Sequence, residues 1–472
     1  MLSPGLAALI ACPRCELAVR QYPDASFGCS ACGLKFPLLD GLPCLFVEPA
    51  ATLAEWRQRL QLALAKLAQD AGSLHLELQN SRLRPLTRER LTLLNRACVD
   101  QARRLGSLLA PLALHNSQMG LATHLALQTR LPTDQGLTTY YPNIHRDWAW
   151  GDTENAESLK LVSGALLDRT PLNPGSGSRQ GDSGSALGTL LVLGSGASRL
   201  AYDLHQQLGP EVTVALDFNP LLALVAARAV AGTGVELWEF PIAPRSMGDH
   251  AVLRTLVAPE PVRDGFHLVL ADVLRPPLLS GSIDVVVTPW VVDILPEDFR
   301  SFAARVNGLL KPGGRWISFG SLAFSQPQAA ARYSLEEVLA IVMDNGFSEP
   351  TVREDEMPYM CSPASRHGRR EWVVTIGATK DRAVPKPARH RSLPDWLVAG
   401  TQPVPLLPAF QLQAMTTRIY GFIMGLIDGR RSVADMAKLL ADQRLMTREE
   451  AEPAVRTFLT KMYEDSQRPP GF

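Results

Sequence analysis

The chain predicts an α/β protein built on a parallel, Rossmann-like sheet, with smaller modules at both ends. Three observations carry that expectation. Between residues 188 and 380 short apolar runs alternate with helical ones, the pattern of strands joined by crossover helices. The first run ends in Gly194-Ser195-Gly196 and the second in Asp217, a glycine turn and an acid at successive strand ends. Four cysteines near the N-terminus fall in two CxxC pairs.

The bulk numbers allow several domains. The 472 residues suffice for two to four, at ~150 residues each. Lys+Arg and Asp+Glu both number 47, so the formal net charge is zero. That balance lends no support to nonspecific nucleic-acid binding, which favours basic chains. No apolar stretch approaches the ~18 residues of a membrane span. Leu9-Ile10-Ala11-Cys12 lacks the basic residue and the longer apolar run of a signal peptide. The chain reads as cytoplasmic, so its seven cysteines read as thiols or metal ligands rather than disulfides.

Along the chain, residues 1–50 form a cysteine-bearing module. Residues 51–137 read as a helical segment, with Leu53, Trp56, Leu60, Leu64 and Leu67 at helical spacing and a second run from Leu91 to Leu109. The aromatic and polar cluster Tyr140 to Trp148 follows. Residues 138–380 form the α/β domain, interrupted at 171–187 by a Gly-, Ser- and Pro-rich stretch that reads as a flexible loop. Residues 381–408 read as a linker and 409–472 as a small helical domain.

Cys12-Pro13-Arg14-Cys15 and Cys29-Ser30-Ala31-Cys32 have the spacing of two zinc knuckles. Four thiolates close a tetrahedral site and leave no open position, so Zn2+ there would be structural. A redox CxxC explains one pair but not two. Together with Gly33 to Pro37 and Asp40 to Pro43, the segment resembles a small zinc-ribbon family whose members activate tRNA and protein methyltransferases as separate subunits. Cys44, Cys98 and Cys361 read as buried small apolar residues.

Thr189 to Leu193 reads as a strand, with the glycine loop at its end and a helix opening near Leu200. Glycines let the backbone approach a ligand, and a helix N-terminus offers free amides. Asp217 closes a second strand, where an acid accepts from ribose hydroxyls. A nicotinamide site uses the same geometry. The downstream pattern argues against it: His267 to Ala271 then Asp272, the strand Ile283 to Thr288, and the tight turn Lys311-Pro312-Gly313-Gly314 into Trp316 to Phe319. This succession resembles the class I S-adenosylmethionine-dependent methyltransferases, in which the acid after strand three contacts adenine. That role would fall on Asp272.

One subfamily fits more closely. Arg146-Asp147-Trp148, then Gly194, Gly196 and Arg199, then Val291-Val292-Asp293, then Lys311 to Ile317, Gly320 and Leu322, resemble the carnosine N-methyltransferase family from about 138 to 380. The capped helix at Ser334 to Glu337, ending at Gly346, has its counterpart too. The resemblance implies a cofactor set of Asn143, Arg146, Gly194, Gly196, Arg199, Asp217, Asp272, Val273 and Thr288, with Arg146 on the methionine carboxylate. It implies that Asp293 holds an acceptor amino group. The rival roles are a surface ion pair for Arg146 and a helix-start acid for Asp293. Ser325 stands where the family has a histidine, and Arg369-Arg370-Glu371-Trp372 where it has tyrosines. His367 reads as a solvated surface residue.

At the C-terminus, Asp428-Gly429 followed by Ser432-Val433-Ala434 resembles the small winged-helix fold of PqqD-type peptide-recognition domains. A plain helical cap is the alternative. Ser432 reads as an N-cap and Thr447 to Glu450 as a capping box, with Pro453 expected to move that helix's start onward. The expected chemistry is N-methylation of an imidazole or amine on a small molecule or peptide. Methylation of tRNA or protein, and a module that binds cofactor or partner without turnover, are the alternatives. The ribbon and the C-terminal domain are the surfaces expected to meet a protein partner.

Overall fold

The computed structural model describes residues 3–22, 27–114, 136–167, 187–348, 350–387 and 403–467. The chain divides into two compact units, Met1–Leu393 and Pro394–Phe472. The expected flexible loop falls almost wholly outside the described residues, as do residues 115–135 of the helical segment and 388–402 of the linker.

The long helices come first: α1 (Pro49–Leu78) and α2 (Pro85–Leu108). Each begins on a proline, whose missing N–H costs nothing in a first turn. Leu53, Trp56 and Leu60 are buried on one face of α1, as their spacing predicts. They are followed by α3 (Asp152–Leu167), β1 (Thr189–Leu193), α4 (Arg199–Leu208), β2 (Val212–Asp217), α5 (Pro220–Val230), β3 (Phe266–Leu270), β4 (Ile283–Pro289), α6 (Phe299–Leu309), β5 (Leu310–Gly320), α7 (Leu335–Asp344), β6 (Thr351–Tyr359) and β7 (Arg369–Thr379).

The seven strands make one sheet in the order β3-β2-β1-β4-β5-β7-β6. β1 to β5 run parallel, and β7 is antiparallel to both neighbours. The parallel strands are apolar almost throughout because helices cover both faces. Chain order reverses between β1 and β4, which opens a crevice at their C-terminal ends, where ligands of open α/β sheets bind. The expected Rossmann-like α/β fold is thus present. A separate two-stranded antiparallel ribbon, Val235–Glu239 with Val252–Leu256, was not anticipated.

The expected tight turn at Lys311 to Gly314 takes a different form. It is a bulge inside β5, where the register with β4 jumps from Ile283–Leu310 to Val285–Arg315. Asp284 fills the gap, accepting from Lys311 Nζ at 2.8 and 2.9 Å and from the Thr189 N–H at 2.8 Å. Gly313 takes a φ of +76°, the left-handed conformation that glycine adopts at no cost.

The N-terminal module packs on the outer edge of this sheet. Leu279 donates to the Leu9 carbonyl and Ala11 to that of Pro277, both at 2.9 Å, and Leu45 donates to Leu270 at 2.7 Å. Cys44 therefore lies beside the end of β3 as an added parallel bridge, which covers an otherwise open edge. Ile10, Phe27, Phe36 and Leu45 share a buried cluster with Val214, Leu216 and Val269.

The C-terminal unit consists of α8 (Pro408–Gly425), α9 (Val433–Asp442) and α10 (Arg448–Gln467). Ile423, Met436, Leu440, Ala451 and Val455 form its core. Both expected caps are present, Ser432 with Asp435 and Thr447 with Glu450. Pro453 does not delay α10, which begins at Arg448. The carbonyl it leaves unpaired, on Glu449, lies in an exposed first turn that water can serve. Among the described residues of this unit there is no strand, so the wing of the expected winged helix is not seen there.

Candidate functional site

A cavity opens at the C-terminal ends of β1, β2, β3 and β4, at the reversal point. Its wall includes Asn143, Arg146, Gly194, Gly196, Asp217, Asp272, Val273 and Asp293. Eight of the ten residues singled out from the sequence are thus brought together. Arg199 and Thr288 are not among the lining residues.

Each placement has a local cause. Arg146 begins a π-helical turn, Arg146–Trp150, closed by Gly151 donating to the Arg146 carbonyl at 2.8 Å. The wider turn recurs at functional sites. Only glycine fits at 151, since a Cβ there would lie 2.4 Å from that oxygen. The Arg146 guanidinium donates twice to Asp147 Oδ1, at 2.6 and 2.8 Å. The ion pair is inside the cavity wall rather than on the surface, the side chains being 16% and 6% exposed. Trp148 ties the turn to the glycine loop by donating to the Ala197 carbonyl at 2.9 Å.

Arg199 braces this assembly from behind. It pairs with Asp203 at 2.9 Å and donates to the Asp147 carbonyl at 2.7 Å. Thr288 is fully buried and accepts from Trp316 Nε1 at 3.0 Å. Both departures from expectation follow from direction: α4 turns Arg199 toward Asp203, one helical turn on, and strand alternation turns Thr288 into the core beneath the cavity.

Gly194 and Gly196 adopt φ of +69° and +56°. A Cβ on Gly194 would strike Val291 at 2.4 Å, while nothing lies within 4 Å of one on Gly196. Gly194 is therefore needed for packing and Gly196 borders open space. Asp217 accepts from the N–H groups of Gly196 (2.8 Å) and Asn219 (2.9 Å). Burial pushes its carboxyl up to about 6, against the lowering effect of these donors. Asp272 accepts from the Leu274 N–H at 2.8 Å.

Asp293 lies in the short 3-10 turn Val292–Ile294. Its Oδ1 is buried without a hydrogen-bond partner, and burial raises its carboxyl to about 6. Trp290, Phe319, Met357 and Tyr359 line the same cavity, and Phe46, Val47 and Thr52 from the N-terminal side complete another part of the wall. None of these seven was anticipated. Trp290 alone had a readable signal, since it follows β4 directly at a strand end. Ser325 is exposed, and so is His367, as expected; Cys44 and Cys98 are buried as expected, but Cys361, just past the end of β6, is exposed rather than buried.

The cavity wall thus combines a cation, an amide, a glycine loop, carboxylates and aromatic rings. Separately, the Sγ atoms of Cys12, Cys15, Cys29 and Cys32 all lie within 4.8 Å of one another.

Residues 191–318 match the family described as a methyltransferase domain. Residues 191–318 thus carry a methyltransferase domain. No curated protein matches the chain in sequence. Among solved structures, Haemonchus contortus phosphoethanolamine N-methyltransferase 2, in complex with phosphomonomethylethanolamine and S-adenosylhomocysteine, is similar at 12% identity and a TM-score of 0.33. The match covers 53% of this chain and 61% of that one, so the chain spans less than two thirds of the worm enzyme. The complex of the Haloferax volcanii Trm112 methyltransferase activator with a methyltransferase matches at 13% identity and a TM-score of 0.32, covering 52% and 97%. A SAM-dependent methyltransferase of Methanosarcina mazei matches at 16% and 0.28, covering 41% and 92%. None of these carries a substrate or a partner over to this chain. Among the described residues no helix is long and apolar enough to cross a membrane.

Proposed function

We propose that this chain is an S-adenosylmethionine-dependent methyltransferase that transfers a methyl group to an imidazole or amine nitrogen of a small molecule or peptide, a carnosine-like acceptor. The observation that carries the reading is Asp293. A carboxylate oxygen buried without a partner is costly unless a ligand satisfies it, and an N–H donor on the acceptor does so.

In this reading Arg146 and Asn143 hold the methionine carboxylate, Asp217 accepts from the ribose hydroxyls, and Asp272 with Val273 borders the adenine. The open space beside Gly196 leaves room for backbone to meet ligand. S-adenosylmethionine, when bound, supplies a methyl group activated by its sulfonium charge. The chain's own task is to align the acceptor and keep water out. Asp293 orients the nucleophilic nitrogen and offsets the positive charge that develops on it. No residue forms a covalent bond to the acceptor.

The four N-terminal thiolates hold a structural zinc in the same reading. A tetrahedral ion with bonds of ~2.3 Å sets its sulfurs roughly 3.8 Å apart, and the Cys12–Cys32 and Cys15–Cys29 separations are 3.6 and 3.2 Å. The ribbon and the C-terminal helices are then the surfaces for a protein partner.

The test is transfer from methyl-labelled cofactor to carnosine, free histidine, histidine-bearing peptides and tRNA, offered in parallel. Label on the imidazole or amine nitrogen supports the reading. Label on tRNA alone overturns it, and cofactor binding with transfer to none of them points to a binding module.

A further inference from the structure

We infer that Trp290, with Phe319 and Tyr359, forms an aromatic corner that recognises a cationic nitrogen at the acceptor end, so that the acceptor class is one whose nitrogen carries positive charge during or after transfer. This rests on the placement of the acceptor beside Asp293.

The corner is built at a cost. Trp290 has a φ of +50°, a left-handed conformation that a bulky side chain rarely takes and that is stabilised only where the surroundings insist on it. Two neighbours insist. The Trp290 N–H donates to the Phe319 carbonyl at 2.7 Å. Gly320, at φ +133°, leaves the space the indole needs: a Cβ there would lie 3.1 Å from the Trp290 nitrogen, Cα and ring. Two unusual backbone positions, at the ends of β4 and β5, thus serve one ring.

That ring faces the cavity among others. Its centroid lies 4.9 Å from Tyr359 at 50° and 5.9 Å from Phe319 at 79°. Tyr359 is already used by cations, with the Arg369 guanidinium 4.8 Å and that of Arg146 5.8 Å from its centroid. Trp290, the best cation-binding ring of the three types, lines the cavity with Asp293 three residues on.

The chemistry explains why such a corner belongs here. The nitrogen lone pair forms the new N–C bond as the C–S bond breaks, and the C–S pair stays on sulfur as a thioether. Positive charge therefore passes from sulfur to nitrogen, and any proton on that nitrogen leaves afterwards to water. Negative ring faces and a carboxylate favour the charge wherever it stands along that path.

The full-length protein is loaded with S-adenosylhomocysteine and titrated calorimetrically with choline and with its neutral isostere, 3,3-dimethyl-1-butanol. Choline should bind about tenfold tighter or more, the range of a desolvated cation–π contact. Trp290→Leu should reduce that preference several-fold, with Asp293 keeping the remainder, and Trp290→Phe should keep most of it. Equal affinity of the two probes in the wild type overturns the inference, even where the leucine variant fails to fold. So does a preference undiminished in Trp290→Leu. If S-adenosylhomocysteine itself does not bind, the reading beneath has failed and takes the inference with it.

Discussion

Gly196 donates its backbone N–H to Asp217 Oδ2 at 2.8 Å. The loop after β1 and the acid ending β2 are therefore one device, each fixing the other. Gly196 is left-handed and has no atom within 4 Å of where a Cβ would stand, so a side chain there occupies the ligand's space. Gly196→Val should cost about 1–2 kcal/mol of stability from backbone strain and remove most cofactor affinity. Thermal melts and calorimetry separate the two effects. A variant that melts lower but binds S-adenosylmethionine normally would remove Gly196 from the cofactor loop.

Arg146→Ala should weaken S-adenosylmethionine by roughly tenfold or more, the size of a lost charge-assisted pair. Asp147 shapes the same contact by holding the guanidinium at 2.6 Å. Asp147→Asn should thus raise the KM for cofactor while leaving kcat closer to wild type, because it loosens the clamp without touching the reacting atoms. Calorimetry showing full affinity in Arg146→Ala refutes the assignment.

Asp293→Asn should lower turnover by roughly tenfold or more, as for a lost electrostatic contact in a reacting site, with cofactor affinity near wild type. It should also alter stability in a pH-dependent way. Burial raises this carboxyl to about 6, above its unfolded value. The ionised form therefore destabilises the fold, by its full amount above pH 6 and by less and less as the pH falls toward the ordinary carboxylate range. The asparagine variant should melt higher than wild type at pH 8, with the difference shrinking toward pH 4. A variant that is less stable at pH 8 would contradict the burial argument.

The N-terminal thiols should hold one zinc per chain. Chelation, or Cys12→Ser, should release the metal and lower the melting temperature, since the ribbon shares a buried cluster with the sheet and metal binding is folding energy. Metal analysis beside a thermal melt checks both. An unchanged melt after complete chelation would make the site structurally idle.

The sheet was legible because its strands are buried on both sides and read as continuous apolar runs. The glycine loop and the acids stood out because those residue types at strand ends have few other uses. What was not legible depended on chain segments meeting at a distance. Phe46, Val47 and Thr52 reach the cavity only because Cys44 and Leu45 join the edge of β3. Tyr359 reaches it from β6 beyond β7, and nothing local distinguishes it from any strand tyrosine. Arg199 looked like part of a binding loop, but its partner Asp203, one helical turn on, claims it. The Lys311 to Gly314 turn was readable as a turn, but its enclosure in a bulge around Asp284 was not.

The most direct measurement is a crystal structure of the full chain with S-adenosylhomocysteine. The account predicts the amino-acid carboxylate on Arg146 and Asn143, the ribose diol on Asp217, the base beside Asp272 and Val273, and the sulfur facing Asp293 and Trp290. Density that reverses this order, or that lies outside the crevice between β1 and β4, would contradict it.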